Sequence, residues 1–168
     1  MSIIILYLVF AMFAVMAYDA SKFIIPNWLV GSLLLVYPIA LVLANFAVDW
    51  KMDLLGMLLM FAIGYVIFAL RLMGGGDVKL IIVLALWVGW EKLAMFGFNF
   101  AVLGGVLSIV ILLVRKIIPH MVSDKGKLPR IFKNKQPVPY GLAIAGAFLM
   151  MLYTSDIPIV ASSLPAAH

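Results

Sequence analysis

Two aspartates are the residues of this chain whose surroundings point most clearly to chemistry. Asp19 ends the first apolar segment, and Asp77 follows Gly74, Gly75 and Gly76 between the third and fourth apolar segments. An ionisable side chain at the edge of a bilayer is costly and marks a candidate functional site. Three glycines permit backbone conformations closed to other residues and let another chain come close. We therefore expect an acid held where a peptide or a small ligand can approach the backbone.

A pair of carboxyl groups can hydrolyse a peptide bond. Two carboxyl groups about 3 Å apart cannot both ionise, so they share one proton. If Asp19 and Asp77 meet, the charged member can take a proton from water while the protonated member polarises a peptide carbonyl. Water then adds to the carbonyl, and a gem-diol forms without a covalent intermediate. The apparent pKa values belong to the pair. This chemistry requires no cofactor, metal, thiol or histidine.

The composition predicts an integral membrane protein. Of the 168 residues, 67% are hydrophobic and 11% are charged, whereas soluble domains are about a quarter charged. The chain has no cysteine, which excludes disulfides, thiolate catalysis and cysteine metal sites. Its two histidines, His120 and His168, lie in a polar loop and at the last position. We therefore expect no metal and no cofactor.

The apolar segments predict an all-α polytopic membrane protein with six transmembrane helices. The first segment lacks a preceding Lys or Arg, so we interpret it as a retained span and not as a signal peptide. Residues 1–153 are predicted to form one six-helix domain, followed by a short outer tail, 154–168, for which we predict no structure. The six segments are about 2–18, 28–48, 54–72, 78–90, 93–114 and 138–153.

The distribution of Lys and Arg predicts the orientation. With the N-terminus outside, the first, third and fifth loops are cytoplasmic and hold ten of the twelve basic residues. The positive-inside rule therefore favours N-out, C-out, which puts Asp19 and Asp77 on the cytoplasmic face. Seven bases lie in the loop 115–137, and we expect its residues 115–135 to contact anionic lipid head groups. Nucleic-acid binding is the weaker interpretation, since no known nucleic-acid fold is present.

The acids of the outer loops are predicted to be solvated ends of spans. Asp49, Asp53 and Glu91 lie in these loops beside Lys51 and Lys92. Such acids contribute to solubility of the loops and not to chemistry, so we leave them out of the candidate site.

Three further features accompany the two cytoplasmic acids. Lys79 could balance or orient Asp77, or could simply extend to the membrane surface. Pro26 stops the first helix and Asn27 is predicted to cap the second. Pro139-Tyr140-Gly141 opens the last segment in a similar way. Taken alone, these residues indicate caps and turns.

Small residues recur at helical spacing in the fifth segment. Gly97, Ala101 and Gly105 fall on one face of a helix, as do Gly141 and Ala145 in the sixth segment. Small faces let helix backbones approach closely in lipid, so both are predicted to be packing faces.

The combination of motifs resembles the type IV prepilin peptidases, which are membrane aspartyl proteases of the GxGD type. The resemblance covers about residues 5–153 and rests on Asp19 with Ile-Pro-Asn six residues on, Gly-x-Gly-Asp-x-Lys-Leu at 74–80, and Pro-Tyr-Gly at 139–141. The chain is similar to the short forms of tight-adherence, Flp-type pilus systems. Long forms carry a cytoplasmic domain with paired cysteines linked with N-methylation, so N-methyltransferase activity is not expected here.

The resemblance implies a site and a substrate. It implies that Asp19 and Asp77 are the catalytic pair and that Gly74 and Gly76 are the motif glycines. The substrate would be a prepilin or pseudopilin with a basic leader and an apolar helix, cleaved after a glycine at the cytoplasmic face of the bacterial inner membrane. The resemblance also implies a role in substrate binding or in holding the fold for a further set of residues, which we call the softer candidates. They are Gly75, Lys79, Pro26, Asn27, Pro139, Tyr140 and Gly141.

Other functions remain open on the sequence. An archaeal preflagellin peptidase would have the same acids and another substrate. Presenilin-like proteases also carry Tyr-Asp and GxGD, but their late Pro-Ala-Leu motif is not supplied by Leu164-Pro165-Ala166. A transporter or a pilus assembly subunit could use Asp19 and Asp77 as a proton or cation site. Transporters often show paired repeats, and this chain shows none.

Overall fold

The computed structural model describes residues 2–121 and 138–162, and regular structure in those ranges is entirely helical. A 3-10 turn at Trp90–Lys92 precedes the fifth helix. The α-helices, in chain order, are α1 Ser2–Lys22, α2 Asn27–Leu43, α3 Trp50–Ala69, α4 Gly75–Val88, α5 Leu93–Met121, α6 Tyr140–Tyr153 and α7 Pro158–Ala161.

Four helical stretches are long and apolar enough to cross a membrane. They are Ser2–Lys22, Trp50–Ala69, Trp90–Ile117 and Tyr140–Ala161. The prediction of an all-α membrane protein is therefore confirmed. The other two predicted spans form α2 and α4, which have 17 and 14 residues and are short for a crossing. Six spans thus stay a prediction.

The fifth helix is longer than its predicted segment. It continues past residue 114 to Met121, so the first part of the predicted loop 115–137 is helical. Residues 122–137 lie outside the described residues, and so does most of the predicted contact of 115–135 with lipid head groups.

The short helix α4 lies at the centre of the fold. It packs against α2, α3, α5 and α6, and every residue from Val83 to Val88 is buried. A helix that is apolar on all sides is typically buried inside a protein. This burial explains why α4 has only 14 residues, which is short for a membrane crossing. The indole N–H of Trp87 donates to the Leu33 carbonyl at 3.1 Å and ties α4 to α2.

The outer helices α3 and α5 contact this centre in different ways. A Cβ atom on Gly64 of α3 would lie 2.8 Å from Cγ1 of Val78, so α3 rests closely on α4. Apart from Asp53, Gly56 and Gly64, the residues of α3 are not fully buried. Helix α5 packs mainly against α6. The two helices therefore flank α4 and leave a gap between them.

Asp53 is not a solvated end of a span. It is 8% exposed, and its carboxylate accepts hydrogen bonds from the Tyr37 hydroxyl at 2.9 Å and the Trp90 backbone N–H at 3.2 Å. Gly89, with φ of +78°, makes the turn that brings the Trp90 N–H to it. The prediction for Asp53 is wrong because its partners come from remote helices, whereas Asp49 and Glu91 are exposed as expected.

The first part of the tail folds back onto the helices. Ile157, Ile159 and Val160 are buried, and the last two lie in α7. The ammonium group of Lys92 lies 2.8 Å from the carboxylate of Asp156. No structure was predicted from the sequence for this tail. In its described part, 154–162, burial of three apolar side chains supplies the stability that a short segment needs.

Candidate functional site

Asp19 is buried where α1 meets the beginning of α6. It is 4% exposed, and its carboxylate accepts a hydrogen bond from the Leu142 backbone N–H at 3.1 Å and another from the Gly141 N–H. The first N–H groups of a helix have no partner within the helix. Pro139 holds the N-cap position of α6 without a side-chain cap bond. Asp19 therefore performs this capping from another helix, and the positive end of α6 favours its charge.

The packing around Asp19 explains the glycine of Pro139-Tyr140-Gly141. A Cβ atom at position 141 would lie 2.7 Å from Oδ2 and 2.9 Å from Cγ of Asp19. Such distances are below van der Waals contact, so any other residue would displace the carboxyl group. The prediction of a packing face at Gly141 and Ala145 fits this structure, because both residues are buried.

Asp77 lies in the first turn of α4, immediately before the apolar part that begins at Val78. Gly74 is the N-cap of this helix, and its backbone N–H donates to the Asp77 carboxylate. This is the return bond that an acidic side chain at the third helical position makes to the N-cap. Burial, followed by the nearby charge of Asp19, raises the pKa of the Asp77 carboxyl to about 7, and the Gly74 bond partly opposes this rise.

The three glycines act through space and not through unusual backbone angles. Gly74 has φ of −67°, and none of the three has a positive φ, so the prediction of conformations closed to other residues is wrong. Close approach is what they provide. A Cβ atom would lie 3.1 Å from Oδ2 of Asp77 at Gly74, 3.2 Å from the Phe68 ring at Gly75 and 3.3 Å from Cβ of Ile25 at Gly76.

Asp19 and Asp77 line the same cavity of about 690 Å³. We call it the acid cavity. Among the described residues, its wall is otherwise mostly apolar, with one basic side chain, and includes Phe23, Phe68, Ala69, Arg71, Leu72, Met73, Gly74, Val138 and Tyr140. A second cavity of about 390 Å³ also has both aspartates in its wall. The two acids therefore lie between two openings.

The structure brings the softer candidates to the same region. Gly74, Gly75, Gly76, Pro26, Asn27 and Lys79 line the second cavity, and Tyr140 lines the acid cavity.

The predicted cap at Asn27 is wrong. Pro26 is the N-cap of α2 and makes no side-chain cap bond, while Asn27 is the first helical residue. Its side-chain oxygen instead accepts a hydrogen bond from the Lys79 ammonium group at 3.2 Å. Lys79 therefore ties α4 to α2, and its ammonium group is directed to Asn27 instead of Asp77.

Sequence reasoning missed the aromatic and basic walls of the acid cavity. Phe23 and Arg71 each follow a helix end and have φ of 56°. Glycine is the usual residue at such positions, and a side chain there costs about 1–2 kcal/mol. Because neither position carries the expected glycine, the sequence gives no signal that Phe23 and Arg71 adopt these turns and line the cavity.

The arrangement offers two carboxyl groups to one cavity. The described residues contain no group of three or more His, Cys, Asp or Glu side chains placed to hold a metal ion. A carboxyl group that holds its proton near neutral pH beside a second carboxyl group can serve as acid and base in hydrolysis.

Comparison with known proteins identifies the family. Searches of curated proteins and of solved structures gave no significant match. A family model described as the type IV leader peptidase family matches residues 6–109, which include both Asp19 and Asp77 and make up more than half of the chain. The chain therefore belongs to the type IV leader peptidase family.

Proposed function

We propose that this chain is an aspartyl endopeptidase that removes the basic leader of type IV prepilins or pseudopilins, with Asp19 and Asp77 as its catalytic pair. The observation that carries the proposal is that both carboxyl groups line one cavity of about 690 Å³. The charge of Asp19 also acts on Asp77, which supports a pair that titrates together. Membership of the leader peptidase family supports the class of reaction and substrate.

The proposed reaction needs one proton on the pair. The charged carboxylate takes a proton from water, while the protonated carboxyl donates to the carbonyl oxygen of the scissile bond. The water oxygen bonds to the carbonyl carbon and gives a gem-diol. On collapse one gem-diol hydroxyl gives its proton to the charged carboxylate, the C–N bond breaks and the leaving nitrogen takes a proton from the pair, and the new carboxyl group leaves with the leader. The pair returns to its singly protonated state.

The glycines before Asp77 permit close packing beside it. Atoms already stand where side chains at Gly74 and Gly76 would lie, so the backbone beside Asp77 stays close to its neighbours. The mostly apolar wall of the acid cavity strengthens electrostatic interactions with the reacting carbonyl. We propose that cleavage follows a glycine, since a residue without a side chain lets the scissile bond reach two partly buried carboxyl groups.

The proposed location is the cytoplasmic face of the bacterial inner membrane. Lys22, Arg71 and Lys79 lie beside the two acids along the chain, and the positive-inside rule favours this end as cytoplasmic. The proposed topology has six spans, N-out and C-out, with residues 1–153 as the peptidase domain and 154–168 as an outer tail. We propose that the substrates are prepilins of tight-adherence, Flp-type pilus systems.

Processing of a panel of prepilins tests the function. Each prepilin has a leader ending in glycine and is co-expressed with wild type, Asp19→Asn or Asp77→Asn, and leader loss is followed by gel shift. Asn keeps the size of Asp but cannot share a proton, so both variants should be inactive. Asp49→Asn is the control, since Asp49 caps α3 with its side-chain oxygen and Asn can do the same. Normal processing by Asp19→Asn or Asp77→Asn contradicts the pair, and a wild type inactive on the whole panel contradicts the function.

A further inference from the structure

An apolar furrow runs between α3 and α5, with α4 as its floor. Two adjoining depressions form it, both lined solely by apolar residues and glycine, and they share Met60, Ile63 and Gly97. Trp90 lies at one end. At the other end Met73 lines both the furrow and the acid cavity. The furrow therefore ends beside the cavity that holds the two aspartates, with Met73 between them.

We propose that this furrow seats the apolar helix of the substrate while the leader and the scissile bond occupy the acid cavity. The inference rests on the proposed function, in which the substrate carries an apolar helix beside its leader. A helix seated along α4 and ending at Met73 delivers the preceding residues to the acids. The furrow then contributes to selection of substrates by their helix, and the aspartates act on the bond after the glycine that the seated helix brings to the acid cavity.

The furrow is long enough to hold part of a membrane helix. Its lining on α3 runs from Leu59 to Ile67, eight residues further along the helix, which is about 12 Å at the rise of an α-helix. A substrate helix can therefore contact α3 over about two turns within the hydrocarbon core of about 30 Å.

One face of α5, which begins at the furrow residue Gly97, suits contact with a helix better than contact with a lipid chain. Gly97, Ala101 and Gly105 were predicted to pack, but a Cβ atom on Gly97 or Gly105 would meet nothing within 4 Å, and Ala101 is exposed. Among the described residues, the packing prediction for this face is therefore not met. Small residues permit close contact between helix backbones in lipid, whereas acyl chains gain nothing specific from them.

Site-directed cross-linking tests the furrow directly, because the chain has no cysteine of its own. Gly97→Cys is made in the inactive Asp77→Asn background, which keeps the substrate intact. Gly31→Cys on α2 is the matched control, since a Cβ atom there also meets nothing within 4 Å. The probe is a prepilin that the cysteine-free wild type cleaves, carrying single cysteines scanned through its apolar helix. Membranes are oxidised with copper phenanthroline, and cross-linked bands are quantified.

We expect at least one substrate position to cross-link to Gly97→Cys at least tenfold more than to Gly31→Cys. As a kinetic readout in active protein, Gly97→Leu should raise the KM for that prepilin about tenfold relative to Gly31→Leu. Equal cross-linking at both positions, or none at Gly97→Cys, would mean that lipid and not the substrate helix occupies the furrow. Either result overturns the inference. Cleavage by the wild type in the same preparation separates that result from failure of the proposed function.

Discussion

Gly141 lies so close to Asp19 that a Cβ atom at position 141 would stand 2.7 Å from Oδ2 of the carboxyl group. The same carboxyl accepts the backbone N–H groups of Gly141 and Leu142, so the beginning of α6 holds Asp19 in place. Two segments more than 120 residues apart are thereby fixed to each other at the candidate site. The requirement for glycine is steric, and it concerns the position of the acid more than the conformation of the helix.

The first prediction follows from this contact. Gly141→Ala should lower the rate of leader removal about 100-fold, since its Cβ displaces the Asp19 carboxyl and small misplacements of catalytic groups are costly. Gly146→Ala on the same helix is the control, because its Cβ would meet Leu103 and Met16 at ordinary distances of 3.5 and 3.7 Å. Melting temperatures in detergent show whether both variants fold. A folded Gly141→Ala protein with the wild-type rate would refute the positioning role.

A second prediction concerns the N-cap of α4. Gly74→Ala should reduce the rate about tenfold, because its Cβ would press on Oδ2 of Asp77 at 3.1 Å while the backbone angles suit alanine. Gly75→Ala is the control, because it adds the same methyl group at the neighbouring position. There the Cβ atom would lie 3.2 Å from the Phe68 ring and not beside Asp77. We expect its rate to fall less. Equal losses in the two variants would indicate a general effect on the helix and not an effect on Asp77.

The pKa of Asp77 gives a third prediction. This pKa is about 7 in the folded protein and 3.8 without its surroundings, so the folded state binds the proton more tightly. The stability that protonation of Asp77 contributes is present below pH 3.8 and is lost as the pH rises through about 7. Asp77→Asn removes the group that titrates. The melting temperature of Asp77→Asn should therefore rise relative to that of the wild type between pH 5 and pH 8. A difference that stays constant over this range would contradict the raised pKa.

The fourth prediction concerns the opposite end of α4. Tyr37→Phe removes the hydroxyl that donates to the buried Asp53 carboxylate at 2.9 Å, which should cost about 1–3 kcal/mol of stability. Tyr7→Phe is the control, because its partner Ser32 retains a hydrogen bond to the Leu29 carbonyl. The melting temperature should fall more for Tyr37→Phe, while leader removal below that temperature stays near the wild-type rate. A specific loss of activity in Tyr37→Phe would place Asp53 in the reaction.

The sequence predicted the helical fold and the two acids because both depend on local signals. Apolar runs of sufficient length indicate helices in a membrane whatever their neighbours. Asp19 and Asp77 are conspicuous because each interrupts or ends such a run. That both line one cavity required the three-dimensional arrangement of α1 and α4, which no periodicity reveals.

Two of the failures, those at Asp53 and Asn27, share a cause, which is contact between distant segments. Because Asp53 is close to Lys51 in sequence, it was predicted to be solvated. Its hydrogen-bond partners are instead Tyr37 and Trp90, which lie on other helical segments. Asn27 was predicted to cap α2, but its side-chain oxygen accepts a hydrogen bond from Lys79, 52 residues away. Short-range patterns specify caps and turns only when no remote group competes for the same polar atoms.

A comparison of single and double substitutions tests the catalytic pair most directly. Rates of leader removal are measured for Asp19→Asn, Asp77→Asn and the double variant on the same prepilin. Residues that act as a unit are strongly non-additive, so each single variant should be as inactive as the double variant. Appreciable cleavage by either single variant, or losses that add on a logarithmic scale, would show that the two carboxyl groups do not share one reaction.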